Sequence, residues 1–95
     1  MIATLLSAKN IELCWQVLSR YGVFHQRHMV IEECSELIKA VCKLDREDNA
    51  EHYESYIEEL IDTIVMCQQM LLVERLSADE INNRAAAKLH KALEG

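Results

Sequence analysis

The sequence contains no proline and only two glycines among its 95 residues, so it holds almost nothing that interrupts a helix. Long apolar runs are also missing. The longest segment without a charged side chain, Thr63 to Val73, is far shorter than the roughly 20 apolar residues of a membrane-spanning helix. A basic surplus is missing as well, since 10 lysines and arginines stand against 16 aspartates and glutamates. The net charge of −6 disfavours a general nucleic-acid binder, which neutralises phosphates with basic side chains.

Length and composition predict a single globular domain over residues 1–95. Hydrophobic residues make up 51% and charged residues 27% of the chain, a balance typical of globular proteins, and two separate cores would each be too small. The amino-terminal segment lacks a basic start and a long apolar run, so no secretory signal is expected. The cysteines lie in apolar helical patterns and form no CxxC pair. We interpret all four as reduced core residues of a cytoplasmic protein: Cys14, Cys34, Cys42 and Cys67.

Apolar residues recur at steps of three and four over four segments, and no segment has the pattern of a strand, which predicts an all-α fold. The four predicted helices run from about Ser7 to Tyr21, Phe24 to Leu44, Asn49 to Arg75 and Ala78 to Leu93. Gly22 ends the first helix, and residues 45–50 form a polar loop. Capping boxes are predicted at Asp48 for the third helix and at Ser77 for the fourth. The fourth helix is expected to complete a four-helix bundle with its inward row, Ile81, Ala85, Leu89 and Ala92.

The third predicted helix changes character along its length. Its first half has one apolar stripe, but from Ile61 to Val73 apolar residues occupy almost every direction around the axis. Three short neighbours in one chain can hardly cover such a helix on all sides. The pattern therefore predicts a homo-oligomer.

Two pairs of acidic residues lie at the margin of a packing face, each pair one turn apart. Glu33 and Glu36 lie on the second predicted helix, and Glu59 and Asp62 lie on the third. A short loop makes these helices antiparallel, so that the two pairs can face each other. Four converging carboxylates would repel by roughly 3 to 4 kcal/mol per close pair at an effective dielectric constant near 20. Mg²⁺ would offset this repulsion, because it binds oxygen ligands and keeps waters that phosphates can replace.

Other interpretations of the acidic and histidine residues stay open at this point. Glu33 and Glu36 could instead form surface ion pairs with nearby basic residues, namely Arg27, Lys39 and Lys43. A zinc site could draw on His25, His28 and Glu32, although no cysteine is placed to complete it. A di-iron bundle is disfavoured, because no histidine stands three residues after a glutamate.

The two acidic motifs are Glu32-Glu33-Cys34-Ser35-Glu36-Leu37 and Glu59-Leu60-Ile61-Asp62, and 22 residues separate Glu36 from Glu59. This EExxE, spacer and ExxD pattern resembles the MazG-like all-α nucleoside triphosphate pyrophosphohydrolases, a superfamily that includes dimeric dUTPases and dCTP pyrophosphatases. The resemblance covers about residues 11–91. The resemblance depends on the two motifs, their spacing and the order of the helices taken together.

The resemblance implies an enzyme that hydrolyses (deoxy)nucleoside triphosphates between the α and β phosphates, releasing a nucleoside monophosphate and pyrophosphate in nucleotide-pool housecleaning. It implies Mg²⁺, which Mn²⁺ can replace, bound by Glu33, Glu36, Glu59 and Asp62. Glu32 lies on the same helical face as Glu36 and is the candidate for positioning the attacking water; a solvent-facing role is equally open. Short relatives favour a tetramer built as a dimer of dimers, with a dimer as the alternative.

The fourth helix departs from the family pattern. Relatives often carry a lysine shortly before ExxD and a KxxxNxxR run on the fourth helix. Here that lysine is missing, and the fourth helix presents Arg84, Lys88 and Lys91 on one face. These cations either contact the β and γ phosphates or only favour the negative end of the helix dipole. Gln26, upstream of EExxE where relatives often have a glutamine, is a further candidate for substrate contact.

Base recognition is the least defined part of the sequence. Four aromatic residues could stack on a nucleobase, but each lies near an apolar stripe and is expected in the core: Trp15, Phe24, Tyr53 and Tyr56. His25 and His28 are alternative contacts to the base edge. The competing function is a non-catalytic helical oligomerisation module, in which the apolar third helix would serve only assembly.

Overall fold

A computed structural model describes residues 5–95, which form four α-helices joined by short connections. The helices are α1 Ala8–Tyr21, α2 Val23–Arg46, α3 Ala50–Glu74 and α4 Ala78–Glu94. No β-strand occurs within residues 5–95, so the predicted all-α class is confirmed. None of the helices in this range is both long enough and apolar enough to cross a membrane.

Side-chain caps mark where α3 and α4 begin. Ser77 Oγ accepts a hydrogen bond from the Glu80 amide at 3.1 Å, as the sequence predicts for the start of α4. At α3 the cap is Asn49, whose Oδ1 accepts from the His52 amide at 2.8 Å, and the prediction of Asp48 is wrong by one position. The connection between α2 and α3 is also shorter than predicted, because α2 continues to Arg46 with its last polar side chains in solvent.

The main packing unit is the hairpin of α2 and α3, which lie side by side along much of their length. They are antiparallel because only residues 47–49 join them. α1 contacts both helices less extensively. The buried apolar side chains form a small core, consisting of Cys14, Leu18, Ala40, Met66 and Leu72.

α4 does not pack against the other three helices, so the predicted four-helix bundle is wrong within one chain. Leu89, expected to face inward, is 64% exposed, and Ala92 is exposed as well. Ile81 and Ala85, nearer to α3, are half-buried. The apolar face of α4 therefore has little cover from residues 5–95 of the same chain.

Several side chains assigned to the core lie at the surface instead. Only Cys14 of the four cysteines is buried; Cys34 is half-buried, and Cys42 and Cys67 are exposed. Three of the aromatic residues expected in the core are likewise exposed by 45%, 74% and 53%, namely Trp15, Phe24 and Tyr53. The expected core was too large because helical periodicity identifies apolar faces without showing what packs on them.

Candidate metal site

Three acidic side chains meet at the seam between α2 and α3. Glu33 extends from the middle of α2, while Glu59 and Asp62 lie one turn apart on α3. One carboxylate oxygen from each residue lies within 4.8 Å of the other two. We call these three residues the acidic cluster. Among residues 5–95 it is the only group of three or more histidines, cysteines or acids with this geometry.

Burial at the acidic cluster is uneven. Glu33 and Glu59 are half-buried, whereas Asp62 is exposed and opens the cluster to solvent. The Oε2 atom of Glu59 is buried, yet it accepts no hydrogen bond from any residue between 5 and 95. A buried carboxylate oxygen without a partner is costly, so this atom is suited to a positively charged ligand.

The electrostatic environment of the cluster disfavours its charged form. Burial raises the pKa of the Glu33 carboxyl above its ordinary value, and the negative charges of Asp62 and Glu59 raise this pKa further. Burial also raises the pKa of Glu59, to which Asp62, Glu36 and Glu58 add repulsion. A bound cation would relieve both effects, because it stabilises the ionised carboxylates that coordinate it.

The spacing of the cluster fits a small divalent cation. Mg²⁺ binds oxygen at about 2.0–2.1 Å, which places two ligand oxygens about 2.9 Å apart in cis and about 4.1 Å apart in trans. The cluster oxygens lie within 4.8 Å of one another, a limit about 0.7 Å above the trans separation. The all-oxygen donor set also matches Mg²⁺ or Mn²⁺ better than zinc, which favours nitrogen and sulfur ligands.

The two remaining acids of the EExxE motif lie outside the acidic cluster. Glu36 is close enough to raise the pKa of Glu59, but its Oε1 lies 3.5 Å from Lys39 Nζ in an exposed ion pair. The surface ion pair considered for Glu36 is therefore present. Glu32 is exposed, and its charge contributes to the raised pKa of Glu33. Arg27 does not pair with either motif glutamate, since its Nη2 lies 3.8 Å from Glu74 Oε1.

The four residues predicted to contact the nucleotide are not gathered at the acidic cluster. Gln26 is only 4% exposed, and both ends of its side-chain amide are hydrogen-bonded within the protein. Arg84 binds Glu80 on its own helix, with 2.8 Å between Nη2 and Oε1. Lys88 and Lys91 are exposed on α4, which does not pack against the α2–α3 hairpin. Substrate contact by these residues stays a prediction.

The histidines considered for zinc make other contacts. His28 Nδ1 donates to the Phe24 carbonyl oxygen at 3.0 Å, and His25 Nδ1 donates to Gln26 Oε1 at 2.7 Å. Neither histidine joins a metal-binding group with Glu32 within the described part of the chain.

Sequence reasoning missed a buried polar contact between α2 and α3. Gln26 Nε2 donates to Gln69 Oε1 at 2.9 Å, and both side chains are almost fully buried. The one available indication was the pair of glutamines inside the otherwise apolar run of α3. Its partner on α2 could not be identified from periodicity, which does not show which residues of two helices face each other.

Similarity to known proteins adds no assignment to these observations. The chain matches no protein-family model, no characterised protein sequence and no solved structure. A functional assignment therefore depends on the geometry of the α2–α3 seam and on the two acidic motifs.

Proposed function

We propose that the protein is a Mg²⁺-dependent hydrolase that cleaves (deoxy)nucleoside triphosphates between the α and β phosphates. The observation that carries this proposal is the acidic cluster: one carboxylate oxygen from each of its three residues lies within 4.8 Å of the other two, and the buried Oε2 of Glu59 lacks a hydrogen-bond partner in residues 5–95. The resemblance of the EExxE and ExxD motifs to MazG-like pyrophosphohydrolases supplies the substrate class. Release of a monophosphate and pyrophosphate in nucleotide-pool housecleaning is the implied role.

In this proposal different residues of the chain have different roles in the reaction. Glu33, Glu59 and Asp62 hold the cation, and Glu36 joins them if its side chain leaves Lys39. Bound Mg²⁺, or Mn²⁺ in its place, supplies positive charge that stabilises the triphosphate during hydrolysis. Glu32 is exposed beside the cluster, where its carboxylate can accept a proton from an attacking water.

A second copy of the chain is part of the proposal. The accessible surface of 7236 Å² exceeds the roughly 5,600 Å² expected for a compact monomer of 11.0 kDa by about 1,600 Å². The excess is comparable to the area that stable interfaces bury. Large apolar side chains are among the exposed residues, including Ile31, Ile38 and Leu89, each more than 60% exposed. We propose a homo-oligomer, either a dimer or a tetramer built as a dimer of dimers.

Assembly also offers a place for the basic face of α4. Arg84, Lys88 and Lys91 are exposed on a helix that does not pack against the other three helices of residues 5–95. In an oligomer this positive face can approach the acidic seam of a neighbouring copy, where the cations would contact the β and γ phosphates. The free thiols of the four cysteines are consistent with a reducing cytoplasmic location.

A nucleotide panel with product identification tests the proposal. Purified protein is incubated with each of the common nucleoside triphosphates and MgCl₂, and the products are separated by anion exchange. We expect monophosphate and pyrophosphate, with turnover abolished by EDTA. Diphosphate with orthophosphate, or no turnover of any nucleotide, would contradict the proposal. Asp62→Asn is the matched inactive variant, because it removes one ligand charge and keeps the side-chain size.

The alternative function is a non-catalytic helical oligomerisation module. The exposed apolar faces of α2 and α4 favour it, since they serve assembly whether or not the acidic cluster binds a cation. This alternative predicts a stable oligomer whose melting temperature does not respond to Mg²⁺. The hydrolase predicts a Mg²⁺-dependent rise, because a ligand that binds only the folded state stabilises it.

A further inference from the structure

The buried contact between Gln26 and Gln69 lies on the same seam as the acidic cluster. Gln26 Nε2 donates to Gln69 Oε1 at 2.9 Å, and the two side chains are 4% and 2% exposed. Glu33 follows Gln26 by seven positions on α2, and Gln69 follows Asp62 by seven positions on α3. Because the helices are antiparallel, both steps run in the same direction in space, over about 10.5 Å at 1.5 Å per residue.

A seven-residue step preserves direction around a helix as well as distance along it. Seven residues cover close to two turns, so Gln26 and Glu33 point to nearly the same side of α2. The same holds for Gln69 and Asp62 on α3. The Gln26–Gln69 contact and the approach of Glu33 to Asp62 therefore lie on the same faces of the two helices, two turns apart. Rotation of either helix about its axis disturbs both contacts.

The loop between α2 and α3 restrains sliding but does not restrain rotation. Residues 47–49 tie the helices together at one end, while the Gln26–Gln69 contact lies toward the other end of the hairpin. Apolar side chains tolerate several rotational settings, whereas a buried amide pair loses its hydrogen bond if either helix turns. A rotation of about 40° moves a side-chain tip roughly 6 Å from the axis by about 4 Å. That displacement is comparable to the 4.8 Å within which the carboxylate oxygens of the acidic cluster lie.

The hydrogen-bond network also gives the amide contact a direction. His25 Nδ1 donates to Gln26 Oε1 at 2.7 Å, which leaves Gln26 Nε2 as the donor toward Gln69. Gln69 Nε2 in turn contacts Met66 Sδ at 3.9 Å on its own helix. Both polar atoms of each side-chain amide therefore have a contact within the protein, which favours one arrangement of α2 against α3.

We propose that Gln26 and Gln69 are positioning residues, whose buried hydrogen bond holds α2 and α3 in the rotational setting at which Glu33 meets Asp62. This inference rests on the proposed cation site and assigns Gln26 a role other than direct substrate contact. It accounts for an amide pair in a seam that apolar residues could otherwise fill.

The test compares Mg²⁺ binding in the wild type and in the double variant Gln26→Met/Gln69→Met. Methionine keeps the unbranched shape and the volume of glutamine but forms no amide hydrogen bond. Titration calorimetry with MgCl₂ alone should show a dissociation constant raised about 10- to 100-fold, as for the loss of other groups that orient metal ligands. The apo melting temperature should stay close to the wild-type value, because both partners of the hydrogen bond are removed together.

Gln68→Met is the matched control. Gln68 is 2% exposed on the same helix, but its Oε1 accepts from the Leu5 amide at 2.9 Å, in the segment before α1. We expect this variant to lose stability and to keep the wild-type Mg²⁺ dissociation constant. An unchanged constant in the double variant, or an equal weakening in the control, overturns the positioning role.

Two further measurements keep the inference separate from the proposed function. If the double variant does not fold, Gln26→Met alone breaks the same hydrogen bond and is measured in the same way. If the wild type binds no Mg²⁺, the proposed function fails, and crystal structures of both proteins decide the positioning role. Glu33 and Asp62 oxygens that stay within the wild-type distance in the variant overturn it, whereas separated oxygens support it.

Discussion

Replacing Asp62 by asparagine tests whether the acidic cluster is a cation site or an ordinary part of the surface. The substitution removes one negative charge and keeps the size of the side chain. At the 4.8 Å limit, two full charges repel by about 3.5 kcal/mol at an effective dielectric constant of 20 and by about 0.9 kcal/mol in water. Because Asp62 is exposed, the relief of its repulsion with Glu33 lies toward the lower end of this range, at about 1 kcal/mol.

This relief has a measurable consequence for apo stability. One kcal/mol shifts the melting temperature of a domain of 60–100 residues by about 4 to 8 °C. We therefore expect Asp62→Asn to melt about 4 °C above the wild type in EDTA, when both are compared at the same protein concentration. With Mg²⁺ at 100 times its dissociation constant, the wild type should gain about 2.7 kcal/mol, or roughly 10 °C or more, and the variant should gain far less.

Glu54→Gln is the control for net charge. Glu54 is exposed on α3 and lies outside the acidic cluster, so its substitution changes the formal charge equally without affecting the cluster. Differential scanning fluorimetry of the three proteins, with EDTA and with MgCl₂, gives all the required values. The reasoning is refuted if Asp62→Asn melts no higher than Glu54→Gln in EDTA and still responds to Mg²⁺ as the wild type does.

Catalysis, pH dependence and assembly each provide a further test. Glu59→Gln should lower kcat for nucleotide hydrolysis at least about 100-fold with unchanged circular dichroism, and near-normal kcat would exclude Glu59 as a ligand. Because the pKa values of Glu33 and Glu59 are raised in the folded state, these two carboxyls bind more protons in the folded protein than in the unfolded chain. The free energy of unfolding in EDTA should therefore fall as pH rises from below 4.5 through those pKa values. Urea titrations that show this free energy rising over the same pH range would refute the reasoning. Leu89→Lys should lower the mass measured by analytical ultracentrifugation, whereas Ala87→Lys, on the opposite face of α4, should not; equal masses for both variants would exclude this face from the interface.

Sequence could predict some features of the acidic cluster and not others. The spacing of Glu59 and Asp62 on one helix, and the short connection from α2, were sufficient to predict a meeting of acids from two helices. They could not show that Glu33 joins the cluster while Glu36 turns toward Lys39. Glu33 and Glu36 lie one turn apart, and the choice between them depends on the rotational setting of α2 against α3. A distant contact between Gln26 and Gln69 contributes to that setting.

Sequence by itself determined the four helices and placed their ends to within two residues, because helical periodicity, caps such as Ser77 and the helix end at Gly22 are properties of neighbouring residues. Only the tertiary structure decided which faces meet: the hairpin of α2 and α3 closes, whereas α4 leaves Leu89 in solvent. The physical reason is that an apolar face gains free energy from any apolar cover. The apolar pattern of a helix shows that one face favours burial. The three-dimensional arrangement determines which element packs on that face.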